Sequence, residues 1–192
     1  MKKLVIVGCG RLAGIVSDAV VNGLLPEYDL VGVYSRTAEK AERIVAKMQQ
    51  HGKTCMACTT IEDLLALKPD YLVEAASPAA MKEFALPALK NGTSIVTLSI
   101  GALADTAFYQ EVMKTAQANG TRVYIVSGAT GGFDVLRTAS LMGNATAKFF
   151  NEKGPNALKG TAVYDEALQT EQRVVFSGNA TEAIAMFPTK VN

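Results

Sequence analysis

Ten residues near the start of the chain, Val5-Ile6-Val7-Gly8-Cys9-Gly10-Arg11-Leu12-Ala13-Gly14, leave few options for how it begins to fold. The compact apolar run Leu4–Val7 reads as a buried strand. A glycine-rich turn follows, and then Leu12, Ile15, Val16, Ala19 and Val20 recur at the spacing of one helix face. A second apolar run, Leu30–Tyr34, completes a βαβ unit. In this setting Gly8 permits the tight turn and Gly10 lets a diphosphate approach the backbone, while Ala13 allows close packing of helix on strand. The first-turn amides of Arg11, Leu12 and Ala13 then offer free N–H groups and positive potential to phosphate. A GxGxxA string alone is weak and serves many tight turns. Its position after a strand and at the head of an amphipathic helix points to a bound dinucleotide.

The alternation continues down the chain. Thr37 is placed to cap a helix with Glu39 in its first turn and Ala38, Ala41, Ile44, Val45 and Met48 on its inner face. Thr54–Cys58 reads as a third strand, and Thr59 with Glu62 as a capping box for a short helix. Tyr71–Glu74 is a fourth strand, after which Ser77 caps a helix with Pro78 at its first position and a kink expected at Pro87. Ser94–Leu98 and Arg122–Val126 are the fifth and sixth strands, separated by a helix over Asp105–Asn119 that ends at Gly120. Strands alternating with helices specify the α/β class, here a Rossmann-type doubly wound parallel sheet over residues 1–125. After Ser127 the texture changes: Gly128, Gly131, Gly132 and Gly143 crowd together, and Val174–Ser177 reads as a strand of another layer. Residues 126–192 are therefore expected to form a second, smaller α+β domain.

Composition narrows the partners. With 49% apolar residues, 19% charged residues and a formal net charge of +1, the chain lacks the basic footprint of a nucleic-acid binder, and a small-molecule partner is expected. Lys2-Lys3 precedes an apolar run, but Arg11 interrupts it and no cleavage pattern follows, so a signal peptide is not indicated. No stretch approaches the length of a membrane span, and a cytoplasmic location is expected. The three cysteines, Cys9, Cys55 and Cys58, are an odd number suited to reduced thiols. Cys55 and Cys58 have CxxC spacing, yet without a second pair or a nearby histidine they read as buried strand thiols rather than metal ligands.

An NAD site usually carries an acid at the end of the second strand to hold the adenosine ribose, but residues 34–37 are Tyr34-Ser35-Arg36-Thr37. No carboxylate is present. Arg36 can pair with and stack over a 2′-phosphorylated adenosine, with Ser35 and Thr37 donating to the phosphate, so NADP is favoured over NAD.

Four more segments go beyond a generic dinucleotide-binding domain: Val73-Glu74-Ala75-Ala76-Ser77, Leu98-Ser99-Ile100-Gly101-Ala102-Leu103-Ala104-Asp105, Ser127-Gly128-Ala129-Thr130-Gly131-Gly132-Phe133-Asp134, and Phe176-Ser177-Gly178-Asn179-Ala180 leading to Phe187-Pro188. With the glycine turn, and in this order, they resemble the L-aspartate dehydrogenase family across essentially the whole chain. The resemblance implies NAD(P)-dependent oxidative deamination of L-aspartate through iminosuccinate to oxaloacetate and ammonia, a reaction that can feed NAD biosynthesis. It also implies that Ala75, Ala76, Ser77 and Pro78, with Ser99 and Gly101, pass under the nicotinamide and its ribose. Ala129 and Asn192 match positions that contact the cofactor, and Ser127 and Gly128 border the substrate. Relatives of this kind are typically homodimers.

Two departures accompany the resemblance. The family's catalytic histidine falls beyond Asn192, so no catalytic residue is assigned, and the second domain is expected to be an incomplete part of a truncated product. The single histidine, His51, sits at the polar end of the second helix as a surface imidazole. Lys190 stands where the family usually has an asparagine, and an ammonium group cannot reproduce an amide's paired contacts. Arg137, Lys148, Lys153 and Arg173 are candidates for holding the substrate carboxylates, though a residue of this kind is more often just a solvated charge. The alternatives are a non-catalytic NAD(P)-binding module and a related oxidoreductase acting on another amino acid or a semialdehyde.

Overall fold

The computed structural model describes residues 1–128 and 131–187, which divide into two compact units, Met1–Val126 and Ser127–Asn192. The first is a parallel six-stranded sheet of strands β1 (Lys2–Val7), β2 (Tyr28–Tyr34), β3 (Met56–Cys58), β4 (Tyr71–Glu74), β5 (Ser94–Thr97) and β6 (Val123–Ile125). The spatial order is β3-β2-β1-β4-β5-β6, with every pairing parallel. From β1 the chain winds outward first to β2 and β3, then returns to lay β4 on the other side of β1. This reversal opens a crevice at the carboxyl ends of the central strands, where open α/β sheets bind their ligands.

Because successive strand residues point to opposite faces, a sheet buried on both sides needs apolar residues at nearly every position. Strand β1 meets that demand: Val5 and Val7 enter one core with Leu72, Met81, Phe84, Leu89 and Ile95, while Leu4 and Ile6 enter the other with Val20, Leu30, Val33, Ile44 and Met48. Helices α1 (Arg11–Val21) and α2 (Ala38–Gln50) cover the second core. Helices α3 (Ile61–Ala66), α4 (Pro78–Lys90) and α5 (Thr106–Ala118) cover the first.

Several local expectations are corrected. The buried face of α1 is Ala13, Ser17 and Val20, whereas Leu12 and Ile15 are about half exposed at 46% and 56%. The first two turns bury only the small side chains of Ala13 and Ser17, and Ser17 satisfies its buried hydroxyl by donating to the Gly14 carbonyl at 2.8 Å. Thr37 is the N-cap of α2, but its side chain caps nothing, and its own N–H donates to Ser35 Oγ at 3.3 Å. The capping box of α3 is one residue later than expected, with Thr60 and Asp63 in the reciprocal pair. Those bonds hold the Asp63 carboxyl below the ordinary carboxylate range. Helix α4 starts as foreseen, with Ser77 Oγ accepting from the Ala80 N–H, and it continues through Pro87 to Lys90.

The second unit contains α6 (Phe133–Leu141), α7 (Pro155–Leu158), a 3-10 turn over Glu166–Gln169 and α8 (Ala180–Met186). Among its described residues there is no strand, and Val174–Ser177 lies in irregular backbone. A strand exists only when a neighbour accepts its ladder bonds, and no described backbone pairs with this run. Phe176 is held instead by an edge-on contact with Phe187, ring centres 5.6 Å apart. Leu158 and Leu168 are buried in this unit, while Leu141, Met142, Phe149 and Phe150 stand exposed.

Candidate functional site

The crevice at the carboxyl ends of β1, β2, β4 and β5 is built around Gly8. Its N–H donates to the Tyr34 carbonyl at the end of β2 (2.9 Å), and the Ala75 N–H just past β4 donates to the Val7 carbonyl (2.8 Å). Gly8 has φ of +90°, and a Cβ there would lie 2.7 Å from the Ala75 carbonyl group and from Ala76 Cα. Only glycine fits, both for its backbone angle and because the loop after β4 passes directly against it. Gly8 therefore does more than turn the chain: it locks Ala75 and Ala76 beside the turn.

Gly10 differs. It is the N-cap of α1, in extended conformation, and a Cβ built on it meets nothing within 4 Å. Gly10 offers no side-chain acceptor to the first-turn amides, no acidic residue occupies that turn, and Arg11 is exposed beside it. Open space over uncapped amides at the positive end of a helix fits a diphosphate. Ala13 is fully buried beneath. Next to the turn, Ser35 is half-buried, Arg36 and Thr37 are exposed, and Arg36 makes no ion pair among the described residues.

The loops after β4 and β5 meet at the same edge. A Cβ on Gly101 would sit 3.7 Å from Pro78 Cγ, an ordinary contact, so the two loops adjoin without requiring glycine there. Ala76 and Pro78 are exposed, Ala75 and Ser77 half-buried, and Ser99 buried. The residue joining them, Glu74, was not singled out from the sequence. It is fully buried at the end of β4. Its Oε1 accepts from Ala76 N–H (2.8 Å), Ser77 N–H (3.0 Å) and Ser99 Oγ–H (2.9 Å). Its Oε2 accepts from Thr97 Oγ–H (2.7 Å) and Ser99 N–H (3.0 Å). A buried carboxylate is tolerated only with such a full set of donors. The signal was a lone acid closing an apolar central strand, with Ser77, Thr97 and Ser99 nearby in the same edge motifs.

Ser127 and Gly128 are exposed at the start of the second unit. Ala129, Lys190 and Asn192 lie outside the described residues. His51 caps the C-terminus of α2, its Nδ1 2.9 Å from the Lys47 carbonyl, at the opposite end of that helix from Arg36. Arg173 pairs with Asp165 within the second unit. Cys9, Cys55 and Cys58 are buried and free, and burial pushes Cys9 up to about 11 and Cys55 up to about 12, which keeps both as unreactive thiols at neutral pH. Among the described residues no cluster could hold a metal ion, and no helix is long and apolar enough to cross a membrane.

Comparison with known proteins fits this geometry. Residues 8–126 match the family described as homoserine dehydrogenase, NAD binding domain, and residues 134–192 match aspartate dehydrogenase, C-terminal. The L-aspartate dehydrogenase of Methanococcus maripaludis (strain C6) is 30% identical over 196 residues, covering 100% of this chain and 71% of that protein. That of Methanocaldococcus jannaschii is 31% identical over 201 residues, with the same coverage. Among solved structures, aspartate dehydrogenase from Thermotoga maritima superposes with a TM-score of 0.65 at 24% identity, covering 100% of this chain and 70% of that one. The WlbA dehydrogenase of Bordetella pertussis, solved with NADH and UDP-GlcNAcA, shares the fold with a TM-score of 0.59 at 18% identity, over 74% of this chain and 40% of that one.

Proposed function

This chain belongs to the L-aspartate dehydrogenase family, and we propose that it binds NAD(P) across the carboxyl edge of its sheet for the oxidative deamination of L-aspartate. The observation carrying this reading is the pair of glycines. Gly8 fixes the β4 loop beside the turn, and Gly10 leaves the helix amides open to a diphosphate. When bound, the dinucleotide supplies a hydride acceptor at its nicotinamide. The chain's own residues orient it: the α1 amides hold the diphosphate, and Ala75, Ala76, Ser77 and Pro78 with Ser99 and Gly101 form the small-residue floor for the nicotinamide half. Oxidation of the amine-bearing carbon of L-aspartate gives iminosuccinate, and water then releases ammonia and oxaloacetate. The match of residues 134–192 to an aspartate dehydrogenase C-terminal model supports aspartate over homoserine as substrate. The test is reduction of NADP and NAD followed by absorbance with L-aspartate, homoserine and other amino acids in turn. Aspartate-dependent reduction is expected, and reduction only with a different amino acid contradicts the substrate.

NADP is the proposed preference, supported by Arg36 standing exposed and without an ion-pair partner among the described residues, after a second strand that carries no terminal acid. A charge-assisted bond from Arg36 to a 2′-phosphate makes Arg36→Ala weaken NADP about tenfold or more while leaving NAD unchanged. Isothermal titration with both dinucleotides reads this, and equal losses for the two contradict it.

A homodimer is also proposed, supported by the apolar side chains Leu141, Met142, Phe149 and Phe150 that the second unit leaves exposed. Light scattering at micromolar concentration is expected to give twice the 20.3 kDa mass of the chain, and a monomeric mass contradicts it.

A further inference from the structure

We propose that Glu74 is a positioning residue that sets the nicotinamide half of the site without touching the dinucleotide, an inference that rests on the dinucleotide reading above. Glu74 is fully buried, and its carboxyl is the acceptor in all five of its bonds. Three of those bonds come from backbone amides, Ala76 and Ser77 after β4 and Ser99 after β5. Each loop keeps one backbone ladder bond past its strand end, Ala75 N–H to the Val7 carbonyl and Leu98 N–H to the Glu74 carbonyl, and the amides of Ala76, Ser77 and Ser99 make none. One side chain thus replaces the ladder for two loops that share no backbone pairing of their own at these amides. The geometry also links outward: Ala76, held by Oε1, is the residue whose Cα lies against Gly8. Beyond the Gly8 contact and the Ala75–Val7 backbone bond, Glu74 is thus the side-chain acceptor that ties the β5 loop to the β4 loop beside the glycine turn. The adenosine half does not depend on it, because Gly10, Ser35, Arg36 and Thr37 make no bond to Glu74.

The acceptor-only pattern makes glutamine an informative substitution. In Glu74→Gln the new amide nitrogen faces either the Ala76, Ser77 and Ser99 donors of Oε1 or the Thr97 and Ser99 donors of Oε2, so one end must place donor against donor. Thr97 supplies a milder lesion from outside the floor itself. Its Oγ donates to Glu74 Oε2 and accepts from the Ser99 N–H at 3.0 Å, so Thr97→Val removes both links and Thr97→Ser retains the hydroxyl.

The test uses the full chain and two probes: NADPH, which spans the whole site, and 2′-phospho-ADP-ribose, which lacks the nicotinamide. Leaving buried donors unmatched is expected to weaken NADPH about tenfold in Glu74→Gln, with the fragment affinity unchanged. Thr97→Val should show the same selective loss to a smaller degree, and Thr97→Ser should restore it. If Glu74→Gln does not fold, the Thr97 pair decides alone. Equal losses for both probes, or none for either, overturn the proposal by making Glu74 a general stabiliser or irrelevant. A wild-type chain that binds neither probe overturns the dinucleotide reading itself, and this inference with it.

Discussion

Replacing Gly10 with aspartate abolishes dinucleotide binding while leaving the fold as stable as before or slightly more so. Gly10 is the N-cap of α1 in an extended conformation open to any residue, and its Cβ direction is empty. Aspartate is among the best N-cap residues and improves on glycine by about a few tenths of a kcal/mol, and its charge suits the positive helix end. The same carboxylate occupies the space proposed for the diphosphate, competes for its amides and repels its charge. Losing several charge-assisted bonds raises Kd by about a hundredfold or more. Thermal melting followed by circular dichroism, paired with NADPH fluorescence titration, reads both halves. Binding that survives the substitution would place the diphosphate elsewhere.

Gly8→Ala is expected to damage stability and binding together. A non-glycine residue at φ of +90° is strained, and its methyl would sit 2.7 Å from backbone atoms of Ala75 and Ala76 that no side-chain rotation can clear. Strain of this kind costs about 1–3 kcal/mol before the clash is counted. At about 2–4 °C per kcal/mol for a chain of this size, the melting temperature falls by about 5–10 °C. The displaced loop also carries Ser77 and Pro78 away from the turn, so NADPH affinity falls with it. A melting temperature within a degree or two of the parent would show that the β4 loop is not locked by Gly8. Two glycines two residues apart thus have different signatures, one in stability and binding together and the other in binding alone.

The contrast also marks how far the residues alone could be read. Strand and helix order, the parallel sheet and the glycine turn were legible because each rests on local periodicity. The continuous apolar run Val5-Ile6-Val7 demands burial on both faces whatever surrounds it. What failed were details decided by tertiary proximity. Leu12 and Ile15 matched a helical face, but the face of α1 turned to the sheet is the one carrying Ala13, Ser17 and Val20. Val174–Ser177 had strand composition but found no partner for its backbone among the described residues. The strand at Thr54–Cys58 shortened to Met56–Cys58, the stretch that pairs with β2.

The site followed the same division. Gly8, Gly10 and Ala13 could be placed because their chemistry is written in nearly consecutive residues. Glu74 could not, since its five donor groups come from the loop after β4 and from the end of β5 with Ser99 just beyond it, segments 20 residues or more apart in the chain that meet only in the folded sheet. At Gly101 the protein's own packing does not demand glycine, since a Cβ there would make only an ordinary 3.7 Å contact with Pro78.

The central claim is that the edge between the Gly8 turn and the β4 and β5 loops holds an NAD(P) dinucleotide. Titrating NADPH with the full chain, and following nicotinamide fluorescence to saturation, tests it most directly. The account predicts saturable binding of one dinucleotide per chain, displaced by NADP more readily than by NAD. Fluorescence that stays linear in protein concentration for both NADPH and NADH would contradict it.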